Sequence, residues 1–181
     1  MVLRACLGAG ALALLLATSG CSDDPQPRVE PTADSPAPSP SETTSAEPAA
    51  WEVKSKAGAV AFAQHWIDLF NSMLDSGDPE AFLKASHSKC GICQDFAERI
   101  EGIHSSGGFY EGDDWRVLQV AQPKLWRSNA IVPMTIREGA ERYRESPSDE
   151  VVRHRAMTAT WSVQLTRERD AWLVTDFRVV E

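Results

Sequence analysis

The sequence predicts an α+β domain at residues 51–181, in which two or three N-terminal helices pack on a curved, four-stranded antiparallel sheet. Apolar residues follow the 3.6-residue period of a helix up to Gly108 and the two-residue period of a strand after it. The segment holds all six tryptophans and has a normal length for one domain with one core. Helices that precede the strands, rather than alternate with them, are typical of the α+β class.

Helical spacing predicts one long helix followed by two shorter ones. The first ends at Gly77, a residue that suits the left-handed position after a helix, and the second begins at Asp78 and Pro79. The third begins near Cys90 and runs to about Ser105. The apolar face of the first helix consists of Ala59, Ala63, Trp66, Ile67, Phe70, Met73 and Leu74.

The second half of the domain alternates apolar and polar residues over four segments, which predict the four strands of the sheet. The polar stretch 137–150 between the second and third strands is predicted to be a long, mobile connection. The predicted strands are 115–121, 129–136, 156–166 and 171–180.

The first 20 residues have the pattern of an export signal. Arg4 is followed by an apolar run of 13 residues from Ala5 to Ala17, whereas a membrane-spanning helix takes about 20. A basic start, a short apolar core and small residues at its end predict a signal peptide at 1–20.

Residues 21–50 are predicted to be a disordered tether. From Ser22 onward this segment contains seven of the eleven prolines, no aromatic residue and a single large aliphatic residue, Val29. Such a composition buries too little apolar surface to offset the entropy of ordering. Residues 22–50 hold six acidic residues and one basic residue.

The folded segment 51–181 is also acidic, with 20 acidic and 16 basic residues. No stretch of the sequence concentrates the basic residues that a phosphate backbone requires, so we expect no nucleic-acid partner. The acidity also predicts that the domain stands away from an anionic lipid surface.

Cys90 and Cys93 form a Cys-x-x-Cys pair, for which three interpretations are open. A structural disulfide needs only an oxidising compartment, and this interpretation is favoured. A redox centre would place the pair after a strand, yet the pair lies in the helical half. A metal site would need four ligands, and His87, Cys90, Cys93 and His104 are the candidates.

The end of the predicted signal peptide resembles that of bacterial lipoproteins. Thr18-Ser19-Gly20-Cys21 is similar to the lipobox of bacterial lipoproteins, although Thr18 stands where that motif more often has leucine. The resemblance implies cleavage before Cys21, acylation of its sulfur and attachment to the outer face of the cell membrane. An ordinary secretory signal that ends at a cysteine is the alternative.

The domain resembles the cone-shaped nuclear-transport-factor-like superfamily in "FAQHWIDLFNSMLDSGDPEAFL" and in the final "AWLVTDFRV". With the signal, the lipobox, the tether and "GDPEAFLKASHSKCGIC", it is more closely similar to a family of uncharacterised actinobacterial lipoproteins. That family has no assigned activity, and the superfamily hosts isomerases, dehydratases and binding modules, so the fold cannot choose among them. The candidates for lining a pocket inside such a cone are Tyr110, Trp161 and Asp176, although Asp176 could also face solvent and Trp161 could belong to the core.

The sequence therefore predicts an exported cell-envelope protein, anchored to the membrane through lipid on Cys21, with a non-catalytic domain. Its partner would be an envelope protein or a small apolar ligand, and no cofactor and no catalytic residue are assigned. One alternative is a pocket enzyme of isomerase, dehydratase or hydrolase type. Another is a thiol-disulfide protein that uses Cys90 and Cys93.

Overall fold

The structure, a computed structural model, describes residues 49–180. The predicted signal peptide, the lipid attachment at Cys21 and all but the last two residues of the predicted tether lie outside the described residues. The described segment starts with a short 3-10 turn, Ala50–Glu52.

Three helices form the first half of the domain, as predicted. Ser55 caps the long first helix, because its side chain accepts a hydrogen bond from the N–H of Gly58. Gly77 ends that helix in the left-handed conformation, with φ of 76°. All seven residues predicted on its apolar face are buried. The helices are α1 (Lys56–Ser76), α2 (Glu80–Lys84) and α3 (Gly91–Ser105).

The four predicted strands are β2, β4, β7 and β8, and they pair in that order in one antiparallel sheet. The sheet has a fifth strand, because the short β3 also pairs with β4. The α+β class is therefore confirmed, although the sheet is larger than predicted. The strands are β1 (Phe109–Gly112), β2 (Arg116–Val120), β3 (Lys124–Trp126), β4 (Asn129–Glu138), β5 (Glu141–Arg144), β6 (Val152–His154), β7 (Met157–Glu168) and β8 (Ala171–Val179).

A second antiparallel sheet, in the order β1-β5-β6, was not predicted. Its central strand β5 lies inside 137–150, so the prediction that this whole stretch is a connection is wrong. The four residues of β5 include a single apolar side chain, Tyr143, which is buried. One buried residue in a short polar segment gives no two-residue period from which a strand could be predicted. The strand is stabilised instead by its pairing with β1 and β6.

The two sheets meet at a bend between β4 and β5. Gly139 lies there against the chain that joins β1 to β2, and a Cβ atom at this position would overlap the carbonyl oxygen of Asp113. The N–H of Asp113 donates a hydrogen bond to the carbonyl of Ala140 across the bend, at 3.0 Å. The two connections therefore approach too closely for any residue with a side chain at Gly139.

An aromatic cluster fills the interior between the helices and the sheets. Phe177 of β8 stacks on Trp161 with ring centroids 4.2 Å apart, and its centroid lies 5.0 Å from that of Trp66. Aromatic pairs of this kind contribute about 0.5–1.5 kcal/mol each beyond the area they bury. The aromatic cluster consists of Trp66, Phe70, Phe82, Phe96, Trp115, Trp161 and Phe177.

Candidate functional site

Residues 85–87, which follow α2, attach the helices to the edge of β8. The N–H of Val174 donates to the carbonyl of Ala85 at 3.0 Å, and the N–H of His87 donates to the carbonyl of Val174 at 2.8 Å. Ser86 thus forms a parallel bridge with Val174. The backbone of this segment covers part of an edge that would otherwise be free to pair with another chain.

Ser86 also binds the indole of Trp66 inside the core. Its hydroxyl accepts a hydrogen bond from Trp66 Nε1 at 2.9 Å and donates one to the carbonyl of Phe82 at 2.8 Å. Both bonds are buried, so removal of the hydroxyl leaves an indole N–H and a carbonyl without partners.

We expect Ser86→Ala to lower the free energy of unfolding by about 1–3 kcal/mol, the cost of an unsatisfied buried donor. Urea unfolding followed by tryptophan fluorescence measures the change. Ser105→Ala is the control, since the Ser105 hydroxyl is exposed and bonds only to the carbonyl of Gly102. A Ser86→Ala variant as stable as the control would show that the indole finds another acceptor.

Cys90 and Cys93 are joined as a disulfide at the start of α3, with Cα atoms 5.2 Å apart. Both residues are fully buried. Thiol–disulfide exchange requires a thiolate to reach one of the two sulfurs, and their burial prevents that approach. The arrangement is that of a structural cross-link and argues against the thiol-disulfide alternative.

We expect replacement of both Cys90 and Cys93 by serine to cost about 2 kcal/mol, since the bond closes a loop of only four residues. Chemical denaturation of the oxidised protein and of the double variant measures this difference. The buried bond should also resist dithiothreitol until the domain unfolds. Rapid reduction of the folded protein would contradict the structural interpretation.

The candidate metal ligands do not come together. His87 Nε2 lies 3.3 Å from a carboxylate oxygen of Glu168, and both cysteine sulfurs are in the disulfide. His104 lies at the opposite end of α3, where its Nε2 is 3.3 Å from the carbonyl oxygen of Leu74. The metal interpretation therefore has no geometric support, and residues 49–180 contain no other cluster of three or more such ligands.

Within residues 49–180, the interior of the cone has a small cavity of about 70 Å³. Its apolar wall is formed by members of the aromatic cluster and by residues of α1 and α3, and its polar side by four residues that we call the mouth cluster. The mouth cluster consists of Arg99, Tyr110, Glu141 and Tyr143.

The groups of the mouth cluster bind one another. The Tyr110 hydroxyl donates a hydrogen bond to the carboxylate of Glu141, which also lies 2.8 Å from Nδ1 of His154. The guanidinium of Arg99 donates to the Tyr143 hydroxyl and lies 4.6 Å above the Tyr143 ring. Burial, and secondly the bond to Glu141, raises the pKa of Tyr110, so this residue remains a protonated donor.

Of the three residues predicted to line a pocket, only Tyr110 does so. Trp161 belongs to the aromatic cluster, and its Nε1 donates to Glu138 at 3.1 Å. Burial raises the pKa of the Glu138 carboxyl, and the indole bond opposes that shift. Asp176 lies on the outer face of the sheet, where it accepts a hydrogen bond from Gln164 at 3.0 Å and pairs with Arg178. Of the two directions left open for Asp176, the structure has the outward one, because a bulge in the β7–β8 pairing interrupts the simple alternation.

A larger concavity of about 690 Å³ opens at the surface between the N-terminal turn, α1, α2 and the β7–β8 turn. We call it the strap groove, because residues 49–53 cross one side of it. The ring of Trp51 stacks on that of His65, with centroids 4.5 Å apart. Trp172 Nε1 donates a hydrogen bond to the carbonyl of Val53 at 3.1 Å. The groove is lined by Trp51, which is 39% exposed, and by apolar side chains of α1 and β8. Charged residues form its rim. Sequence reasoning missed it, since Trp51 marked only a domain boundary.

Comparison with solved structures gives likenesses of fold at low identity. The intermembrane-space region of chloroplast protein ARC6 has a TM-score of 0.53 at 12% identity, over 71% of this chain and 98% of that one. The β subunit of benzoate 1,2-dioxygenase from Burkholderia mallei ATCC 23344 scores 0.47 at 12% identity, over 71% and 91%. A protein of unknown function with a cystatin-like fold from Nostoc punctiforme PCC 73102 scores 0.41 at 11%, over 66% and 88%. At such identities only the fold of the ARC6 region supports an argument, and it carries no activity to this chain.

Comparison with curated proteins gives no match. Within residues 49–180, no helix is long and apolar enough to cross a membrane. The sequence profile of a family of unknown function, DUF6318, matches residues 30–178, which include nearly the whole described domain. The chain is therefore a member of the DUF6318 family.

Proposed function

We propose that the chain is an exported, lipid-anchored envelope protein whose domain binds a protein partner and catalyses no reaction. The filled interior of the cone carries this proposal. Pockets for small molecules commonly measure about 300–1,000 Å³. A cavity of about 70 Å³ is several times smaller than such pockets and has no room for a substrate or a lipid.

The mouth cluster argues against an enzyme in the same way. A general base must lie within hydrogen-bond reach of the substrate proton, and the cavity of about 70 Å³ leaves no room for a substrate beside the cluster. Glu141 is already bound to Tyr110 and His154, and the raised pKa of Tyr110 keeps its proton in place. The cluster therefore closes the mouth of the cone, since its groups hold one another.

The strap groove is the site that we assign to the partner. Its apolar floor and charged rim have the composition of a protein interface, in which an apolar centre is surrounded by polar groups. Trp51 is an exposed aromatic anchor of the kind that dominates binding energies. The groove is less suitable for a small apolar ligand than for a protein, because it is open to solvent.

A crosslinking experiment tests this assignment. A photo-reactive residue at Lys84, on the rim of the groove, should give an adduct of one discrete mass in intact cells. The matched control is the same residue at Glu101, which is exposed on α3 away from the groove. Trp51→Ala should weaken the adduct from position 84. Equal adducts from both positions, or none from position 84, would remove the groove from the proposal.

The lipid anchor is tested separately. Labelled palmitate should enter the wild-type protein and a Cys6→Ala control, because Cys6 lies in the predicted signal peptide. It should not enter Cys21→Ala, which we expect to leave the membrane fraction. Membrane attachment of Cys21→Ala equal to that of the wild type would overturn the anchor.

A further inference from the structure

The outer faces of the two sheets, which are turned away from the helices, carry arginines that are widely spaced in the sequence. Strand register places Arg116 of β2 opposite Arg137 of β4, and Arg142 of β5 opposite Arg153 of β6. We call the set of five the arginine face. Its members are Arg116, Arg137, Arg142, Arg144 and Arg153.

The alternation of side chains fixes the direction of these arginines. Tyr143 points inward, where it contacts Arg99 of α3, so Arg142 and Arg144 on either side of it point outward. Both guanidinium groups lie over the ring of Phe109, at 5.7 and 5.3 Å from its centroid.

On β4, the buried Ile136 points to the core, and its neighbour Arg137 is exposed on the outer side. Arg116 and Arg153 share the faces of the arginines with which they pair. Four of the five arginines are exposed, and Arg144 is half-buried.

The charge of this face is opposite to that of the domain. Within the strands that carry it, all of which the structure describes, Glu111 is the carboxylate on the same face, and it pairs with Arg142. The other four arginines form no ion pair with any residue between 49 and 180. Like charges directly opposite each other on a sheet repel, and an anion between two guanidinium groups would replace that repulsion with attraction.

An exposed apolar residue accompanies the cations. The pairing of β2 with β4 has a bulge at Leu118, and this side chain is 58% exposed two residues from Arg116. Within residues 49–180 it is the most exposed of the large apolar side chains. A leucine among cations suits an interface where headgroups give way to acyl chains.

We propose that the arginine face docks on anionic phospholipid headgroups of the membrane that holds the lipid anchor. Arg142 and Arg153 line a wide concavity of about 890 Å³ that is open to solvent, and headgroups that diffuse laterally can reach them there. Guanidinium binds phosphate through two parallel hydrogen bonds, which lysine cannot do. The proposal rests on the proposed export and anchoring for its setting, and it revises the expectation that the domain stands away from lipid.

The test uses the processed chain, residues 21–181, with Cys21→Ser so that no acyl chain attaches. Vesicles made of equal parts phosphatidylglycerol and phosphatidylcholine should co-sediment the protein at low salt, and vesicles of phosphatidylcholine alone should not. High salt should release it, since exposed charges are screened. Equal binding to both kinds of vesicle, or no binding to either, would overturn the proposal.

Charge reversal identifies the face. Arg137→Glu with Arg153→Glu should weaken vesicle binding by at least about tenfold. The matched control is Lys54→Glu with Lys56→Glu, which changes the net charge equally at two exposed residues outside the sheets and should alter binding by less than about twofold. Circular dichroism verifies that both variants fold. An equal loss of vesicle binding in the two variants would mean that net charge alone determines binding. The assignment of the binding site to the arginine face would then be overturned.

Two further outcomes are informative. Soluble polyphosphate that binds the arginine face while vesicles do not would make it a site for an anionic polymer and refute membrane docking. Because this protein carries no acyl chain, vesicle binding is independent of the palmitate experiment. Failure of palmitate labelling would overturn the anchor and leave the vesicle result standing, and the reverse holds as well.

Discussion

Replacement of Gly139 by alanine is expected to lower the free energy of unfolding by about 4 kcal/mol or more, which is an exceptional loss for one methyl group. The added Cβ would overlap the carbonyl oxygen of Asp113 and lie within 2.6 Å of its carbonyl carbon. Both atoms belong to the backbone, so relief requires the β1–β2 connection to move away from the β4–β5 bend. That movement breaks the hydrogen bond between Asp113 and Ala140.

Urea unfolding and thermal melts followed by circular dichroism measure the effect. Gly102→Ala is the matched control, because a Cβ there meets no other atom within 4 Å. Gly102 lies inside α3, where alanine is favoured over glycine by about 1 kcal/mol, so this variant should be more stable than the wild type. A Gly139→Ala protein with wild-type stability would show that the bend relaxes, and the bend would then not constrain the fold.

The second large effect is expected from Phe177→Ala, which removes one ring of the aromatic cluster. The side chain is fully buried against Trp161 and Trp66, and phenylalanine-to-alanine changes in cores cost about 3–5 kcal/mol. The variant should also acquire a dry cavity that binds benzene, as apolar cavities of that size do. The wild type should not bind benzene, since its own cavity is about 70 Å³.

Calorimetry with benzene and denaturant unfolding together check this prediction. Val179→Ala, in the same strand but 48% exposed, is the control and should change stability by about 0.5 kcal/mol or less. Benzene binding by the wild type would mean that the cone opens in solution. The argument for a non-catalytic function would then lose its main support.

The parts of the fold that follow from sequence are those with a long apolar period. The face of α1 repeats through five turns, and β4 and β7 alternate over ten and twelve residues, so each segment specifies its own structure. Gly77 and Asp78-Pro79 mark the helix ends through backbone geometry that any context would preserve. The pairing of successive strands then follows from short connections.

The small sheet could not be predicted, because its strands have three or four residues and its stability comes from partners rather than from pattern. The direction of the Asp176 side chain could not be predicted for a related reason, since a bulge is a property of two strands together. Cysteine spacing indicated the pair at the start of α3, whereas the burial of that pair required the structure.

The arginine face could not be predicted from the sequence either. Its residues are spread over 116–153, and no window of the sequence is strongly basic. Cross-strand register brings four of them into two pairs, Arg116 with Arg137 on one sheet and Arg142 with Arg153 on the other, and register depends on pairings between distant segments. Net charge correctly described the whole domain and concealed the asymmetry between its surfaces.

The hydrogen bond between Val53 and Trp172 joins the first described segment to the last strand, across 119 residues of chain. A ribosome must therefore deliver β8 before the turn at Trp51 has its support and before Phe177 can enter the core. Until then the nascent polypeptide cannot complete its fold and can still pass through a translocation channel as an extended chain. Late closure of this kind is what we expect of the export that we propose, in which the chain crosses the membrane in extended form.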